Sequence, residues 1–373
     1  MVKKIRVGVV FGGRSGEHEV SLLSATSVMR ALDRSKYDII PIGISREGRW
    51  LTDGDPMDEL QRLVSGREEP SLAPRQAQQN RAVAAVGVDR RELVPGVREG
   101  VPGIDVLFPV LHGPYGEDGT VQGLLELANI PYVGSGVLGS ALAMDKAAMK
   151  AVFSAAGFPT AASLLVRRWE WQQASDQVRR SVKERIGYPC FVKPVNLGSS
   201  VGVSKVHDED ELGGALELAA RYDRRLLVEQ AINAREIECS VLGNDQPMAS
   251  LPGEVIPKRE FYDYQAKYLD DDTELIVPAD LPAATVSTIQ DLAVRAFLAL
   301  DCAGMARADF FVDRVTGLVY INELNTIPGF TAVSMYPRMW EASGLPYPEL
   351  LDRLIQLAFD RHDERSRMST SNR

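Results

Sequence analysis

The chain has 373 residues, 45% hydrophobic and 25% charged, which is the composition of an ordinary globular protein and enough length for two or three domains. Its net charge of −9 argues against nucleic acid as a partner, because phosphate-backbone binding draws on basic surface. Small anionic ligands remain open to it, since a few placed cations and backbone amides suffice to hold them.

No run of about 18 uncharged apolar residues occurs, so no membrane-spanning helix is expected. Met1–Arg6 leads straight into the apolar run Val7–Phe11, without the apolar region and cleavage site of an export signal. The three cysteines, Cys190, Cys239 and Cys302, are scattered, and none has a Cys-x-x-Cys neighbour. Neither a disulfide framework nor a zinc knuckle is expected, and the chain reads as reduced and cytoplasmic.

In chain order, Ile5–Phe11 is an apolar strand broken by Gly12-Gly13-Arg14-Ser15-Gly16. Leu22, Ala25, Met29 and Leu32 then recur at helical spacing. Asp38–Ile44 reads as the next strand, and the polar stretch from Arg67 to Gly100 as an irregular excursion. Val106–Leu111 is a further buried strand, ending in His112-Gly113-Pro114-Tyr115-Gly116-Glu117-Asp118-Gly119. The βα alternation makes an α/β unit ending near Gly136. Ser140–Ala156 is expected to form one helix, stopped by Gly157 and Pro159. The strand Cys190–Lys193, a glycine loop at Gly198–Gly202 and the strand Leu226–Glu229 follow. From Glu236 onward strands and helices mix, and the polar tail after about Asp360 reads as disordered.

Met305–Gly329 carries the most specific pattern. Side chains alternate along a strand, so Arg307 and Asp309 share one face, and Glu323 and Asn325 share one face after the turn Asp313–Gly317. With the turn centred near Val315 or Thr316, Asp309 falls within one residue of Glu323, and cross-strand neighbours lie about 5 Å apart. Two carboxylates and an amide oxygen suit a hard cation such as Mg²⁺, and Arg307 suits a planar oxyanion. A solvated hairpin with ordinary charges is the plainer account. The irregular exit Asn325-Thr326-Ile327-Pro328-Gly329 favours the metal site.

In the middle of the chain, Lys193 at a strand end runs into Gly198-Ser199-Ser200-Val201-Gly202. Such a loop can present amides to phosphate oxygens, or be a plain surface connection. Lys146 is a solvated helical lysine unless both lysines face one cleft. Glu229-Gln230-Ala231-Ile232 could offer backbone edges to an adenine, and Glu236, opposite the apolar face of Ile237, Cys239 and Val241, is either merely exposed or suited to a ribose. The first glycine turn does not fit the dinucleotide fingerprint, and Glu17-His18-Glu19 after it suits a substrate ammonium better than a pyrophosphate.

Taken together, six phrases resemble the D-alanine–D-alanine ligases, in family order and across nearly the whole chain. They are Gly12–Leu22, His112–Gly119, Met144-Asp145-Lys146, Gly198–Gly202, Phe261–Tyr268 and Asn322–Gly329. The resemblance implies a mixed α/β (α+β) chain with a three-domain ATP-grasp fold. Residues 1–136 would form a Rossmann-like α/β domain binding the first D-alanine, 137–233 a central subdomain, and 234–373 a C-terminal domain with the metal site and substrate loop. It implies ATP and two Mg²⁺ ions (Mn²⁺ able to substitute) on Asp309, Glu323 and Asn325. Lys146, Lys193, Ser199, Glu229, Ala231, Ile232, Glu236 and Lys267 would contact ATP, Lys267 at the γ-phosphate. Glu17, with His112 beside it, would bind the ammonium of the first D-alanine. Ser199 and Tyr268 would link a loop over the site, and Arg307 and the Gly329 amide would hold the carboxylate oxygens. Ser334 would position the second substrate.

What the resemblance further implies is a homodimer, with neither nucleic acid nor membrane as partner, making a peptidoglycan precursor. Gln265, often glutamate in the family, and Gln230, often lysine, are departures. The nearest rivals are ligases of D-alanine with D-lactate or D-serine. Tyr268 argues against the lactate form, which resembles the family except for a histidine there. A non-catalytic nucleotide-binding regulator would be expected to lack Arg307 or the metal ligands, and all are present.

Overall fold

A computed structural model describes residues 3–51, 54–64, 103–256, 274–331 and 333–369, and in it the chain is organised around three sheets. The stretch from Arg67 to Gly100, and the segment Phe261–Tyr268 with Lys267 and Tyr268, lie outside the described residues.

The first sheet comes from β1 (Ile5–Gly12), β2 (Tyr37–Ile44), β3 (Trp50–Leu51) and β4 (Val106–Pro109), ordered β3-β2-β1-β4. β2, β1 and β4 run parallel and β3 antiparallel. Val7, Val9, Val10 and Phe11 are fully buried in succession, as expected for a parallel strand covered on both faces. Helices α1 (His18–Ala31), α2 (Pro56–Val64) and α3 (Thr120–Ala128) belong to this part. On α1, Leu22 and Ala25 are buried and Met29 packs partly against the core, which matches the helical spacing in the sequence.

Helices α4 (Val137–Met144) and α5 (Lys146–Ala155) follow. The single helix expected over 140–156 is therefore two. Asp145 separates them because its side chain accepts the Ala148 N–H at 2.9 Å and caps α5, while its other oxygen meets Arg225. The second sheet then uses β5 (Ser163–Arg167), β6 (Cys190–Pro194), β7 (Ser204–Val206) and β8 (Arg225–Gln230). Its order is β5-β8-β6-β7, antiparallel throughout, with α6 (Arg168–Gln173), α7 (Ser175–Arg185) and α8 (Glu209–Ala220) between its strands in sequence.

The third sheet has the order β12-β11-β9-β13-β14, with β10 paired to β9. It comprises β9 (Ala234–Gly243), β10 (Met248–Ala249), β11 (Gly253–Ile256), β12 (Glu274–Ile276), β13 (Gly304–Asp313) and β14 (Val319–Asn325). Helix α9 (Ala283–Ala299) buries Ile289, Ala293, Ala296 and Phe297 in the core that this sheet shares with Met149 and Phe153 of α5.

Helices α10 (Met335–Ala342) and α11 (Tyr347–Ser366) return to the first sheet. Tyr336, Trp340, Leu350, Leu354 and Ile355 join Val7, Val9, Phe11 and Phe108 in one core, and Phe330 meets Phe108 edge-on at 5.8 Å. The disorder expected after Asp360 is not found up to Ser366, since α11 continues through it. Arg361 lies over the Tyr132 ring at 4.2 Å and donates to the Tyr132 carbonyl at 3.3 Å, and Arg365 pairs with Glu126. The polar composition there marks exposed faces of a helix that Leu354, Ile355 and Ala358 anchor at helical spacing.

Candidate functional site

The hairpin pairs as the alternation of its residues requires. Arg307 lies opposite Asn325, and Asp309 opposite Glu323, with a register shift between Asp309 and Phe310. Ala306, Ala308 and Phe310 point into the core, which sends Arg307 and Asp309 to the other face. The turn closes through the Gly317 N–H on the Asp313 carbonyl at 2.9 Å, while the Asp313 carboxylate accepts from Val315 and Thr316.

On the open face Arg307 grips Asp309 with two parallel bonds of 2.7 Å, and its Nε lies 3.2 Å from Glu238 on neighbouring β9. Asn325 donates to Asp309 at 2.9 Å. Glu323 reaches Lys146 at 3.5 Å. Among the described residues no cluster of three or more His, Cys, Asp and Glu side chains forms a metal cage. The donor set here is two carboxylates and an amide, which fits an ion that completes its shell with phosphate oxygens and water.

The residues expected to serve a nucleotide come together from α5, β6 and β8. Phe191 of β6 pairs with Glu229 of β8, so Lys193, two residues on and on the same face, is the diagonal neighbour of Glu229. Its ammonium pairs with Glu229 Oε2, and Lys150 pairs with Oε1. Burial pushes the Glu229 carboxyl upward, but the two ammoniums outweigh it and hold the group below its ordinary range. For Lys193, burial acts downward, and Glu229 and Glu323 together raise it.

Lys146 donates to the Leu197 carbonyl at 2.9 Å, so it touches both the glycine–serine loop and Glu323. Lys193 is influenced by the same Glu323 carboxylate, so both lysines lie near it. The Ala231 N–H is taken by the Pro189 carbonyl at 3.2 Å, so it is not the donor an adenine would meet. Ile232 lies between β8 and β9, and Glu236 pairs with Phe311 on the partly exposed part of β9.

The third group joins distant pieces of chain. Ser199 and Ser200 hold φ of 50° and 58°, a left-handed backbone costly for such residues, and Ser199 donates to Glu17, 182 positions earlier. Glu17 is buried, and its N–H donates to Ser15 Oγ at 3.2 Å. Gly113 has φ of 74°, a conformation costly for other residues, and a Cβ there would press on the Glu17 carboxylate at 2.7 Å.

His112 sets its Nδ1 3.0 Å from the Ile327 carbonyl and its Nε2 3.4 Å from Ser24 Oγ. A carbonyl only accepts, so Nδ1 carries the proton and Nε2 takes the serine hydroxyl. Burial lowers its pKa, Glu17 and the Ile327 carbonyl work against this, and Arg307 adds to it; the net direction is down, towards a neutral ring.

The irregular exit from the hairpin has its explanation here. Both backbone groups of Ile327 are received by the 112–117 motif, the carbonyl by His112 and the N–H by Glu117 at 3.3 Å. Glu117 also accepts the Gly113 N–H at 2.7 Å. Burial first, then the Glu17 charge, lifts its carboxyl to about 8. Beyond the exit, a Cβ on Gly329 would stand 2.8 Å from Ser334 Oγ, which accepts the Thr331 N–H at 3.0 Å.

Sequence reasoning gave no role to Glu117, Lys150 or Glu238. Glu117 sits inside a quoted phrase, Lys150 one helical turn past Lys146, and Glu238 on the same strand face as Glu236. Each was visible as a neighbour, but its partner was not.

Comparison with known proteins identifies the family. Residues 6–135 match the family model described as the D-ala D-ala ligase N-terminus, and residues 152–356 the one for the C-terminus. The D-alanine–D-alanine ligase of Heliobacterium modesticaldum is 50% identical over 98% of both chains. That of Thermoanaerobacter sp. strain X514 is 50% identical over 98% of this chain and 99% of its own. The structure of the D-alanine-D-alanine ligase from Coxiella burnetii superposes with a TM-score of 0.80 at 39% identity, covering 98% of this chain and 97% of that one. The VanG D-Ala:D-Ser ligase from Enterococcus faecalis gives 0.80 at 37% identity, over 95% and 100%. The chain belongs to the D-alanine–D-alanine ligases, ATP-dependent enzymes of the ATP-grasp fold.

Proposed function

We propose that the protein joins two D-alanine molecules at the expense of ATP, giving D-alanyl-D-alanine, ADP and phosphate for peptidoglycan precursor synthesis. The observation that carries this reading is the patch on β13 and β14, where Arg307, Asp309, Glu323 and Asn325 share one face beside Lys146. A free carboxylate is a poor electrophile. In the first step an oxygen of the first D-alanine attacks the γ-phosphorus and ADP leaves. In the second, the amine of the other D-alanine attacks the acyl carbon, loses a proton, and phosphate departs from the tetrahedral intermediate. Negative charge grows first on the phosphoryl oxygens and then on the former carbonyl oxygen. Arg307 and the Gly329 amide are assigned to hold those oxygens, as preorganised positive groups should.

Glu17, with neutral His112 beside it, is assigned to the ammonium of the first substrate, and Ser199 to tying the glycine loop over it together with Tyr268. Ser334 positions the second carboxylate. Lys146, Lys193, Glu229, Ile232, Glu236 and Lys267 serve ATP, with Ala231 contributing through its carbonyl rather than its N–H. Asp309, Glu323 and Asn325 would hold two Mg²⁺ ions, for which Mn²⁺ can stand in, and such ions supply charge neutralisation along the triphosphate. The parts are assigned as an N-terminal domain over 1–136, a central one over 137–233 and a C-terminal one over 234–373. The enzyme is read as a cytoplasmic homodimer, on the strength of the family resemblance and of its cell-wall chemistry. Among the described residues no helix is long and apolar enough to cross a membrane.

A second reading has its own support, since a D-Ala:D-Ser ligase superposes as well as a D-alanine–D-alanine ligase does. Phosphate release from ATP and Mg²⁺, with products identified by mass, tests both. Release with D-alanine alone, giving the dipeptide, is expected. Release only on adding D-serine or D-lactate would replace the second substrate, and no D-amino-acid-dependent release would end the ligase reading.

A further inference from the structure

One buried ionisable side chain has no part in the chemistry above. Lys150 lies on α5, one turn after Lys146, with 5% of its surface exposed. Its ammonium pairs with Glu229 Oε1, while Lys193 pairs with Oε2. Removing an ammonium from water is costly, and a lysine is almost never fully buried without a partner. One lysine would balance one carboxylate, yet here two converge on it.

The second cation changes what the first can do. Were Lys193 alone on Glu229, turning its ammonium toward a phosphate would strand a buried carboxylate, which Coulomb attraction and desolvation both oppose. With Lys150 in place, Glu229 stays compensated whichever way Lys193 turns. Lys193 is also the more open of the two, its side chain 11% exposed against 6%. It stands where β6 runs into the glycine–serine loop, and the charged groups Lys146 and Glu323 lie near that loop and that lysine.

We propose that Lys150 is a positioning residue for the nucleotide phosphates, which neutralises Glu229 and so frees the Lys193 ammonium for the phosphate chain of ATP. This rests on the reading that Lys193 and Glu229 line the ATP site.

The test is competitive inhibition against ATP by ADP and by adenosine, in the full-length enzyme and in Lys150→Met. That variant leaves Glu229 paired with Lys193, so no charge is stranded. The KM for ATP and the inhibition constant for ADP should rise about tenfold in it, since Lys193 is then held back from phosphate, while adenosine is unaffected. Lys150→Arg should restore the preference for ADP over adenosine. So should Glu229→Gln added to Lys150→Met, because no carboxylate remains to retain Lys193. Equal weakening of ADP and adenosine, or no change in either, would overturn the inference. If Lys150→Met does not fold, Lys150→Gln carries the same comparison. Absence of ADP inhibition in the unmodified enzyme would instead overturn the ATP-site assignment beneath it.

Discussion

The Arg307 patch and the Glu17 junction are assembled differently. Arg307, Asp309, Glu323 and Asn325 sit on two adjacent strands joined by a short turn, and backbone pairing alone brings them opposite one another. Glu17, His112, Ser199 and Ile327 come from four separated segments, and side-chain bonds hold them together. The first group is fixed once a hairpin forms. The second exists only when the first sheet, the glycine–serine loop and the hairpin exit have all docked. The patch therefore depends on local pairing, and the junction on the docking of distant segments.

Substitutions should separate the two. Arg307→Ala, in the patch, is expected to lower kcat by about 10²–10³-fold, the range for losing one oxyanion donor. If instead the KM for D-alanine took the whole loss, the patch would be a binding rather than a rate element. Glu17→Gln, at the junction, should act chiefly through the KM of the first D-alanine, by roughly tenfold to a hundredfold for a lost charge-assisted bond. An equal loss in kcat would erase the distinction drawn here.

The pH dependence of stability sharpens it further. Glu117 keeps its proton up to about 8 in the folded protein but loses it near its ordinary value when unfolded. The folded state thus binds more protons between those limits, and stability should fall as pH rises through that window. Melting temperatures measured from pH 5 to 8 should show a shallower fall for Glu117→Gln than for the unmodified protein. An identical slope would remove Glu117 as the cause. The smallest effect is expected outside both regions: Asp145→Ala should cost about 1 kcal/mol in denaturant unfolding through loss of the α5 cap, plus whatever Arg225 contributes. No loss would mean that the break between α4 and α5 is set by packing alone.

How much could be read beforehand follows the same division. Alternation along β13 and β14 put Asp309 within one residue of Glu323, and the register places them directly opposite. The apolar runs at β1, β2, β4, β6 and β8 were likewise legible, whereas the short strands β3, β5 and β7 were not, because two to five residues carry too little pattern. The break at Asp145 was missed because apolar spacing is compatible with one long helix, and only the Ala148 N–H and Arg225 show what the carboxylate does. The tail was misjudged because polarity was equated with disorder, when Arg361 and Tyr132 supply a contact no local pattern reveals. At the junction, the motifs around Glu17, His112 and Ser199 could be recognised, but not that Ile327 would tie them to the hairpin exit. Lys150 was given no role, since its meaning depends on Glu229, which the folding of β8 supplies from elsewhere.

The return of α11 to the first sheet bears on how this protein is made. Lys36 and Tyr37 bind Asp352, which a ribosome adds 316 residues after Lys36, and Ser27 meets Tyr347 at 3.4 Å across a comparable interval. Until α11 emerges, the Val7–Phe11 strand and the inner face of α1 lack part of the apolar surface that finally covers them. The N-terminal portion then stays partly uncovered until the α11 residues have been made. An excised N-terminal fragment would carry that bare face permanently, and with it a tendency to associate that the full chain conceals.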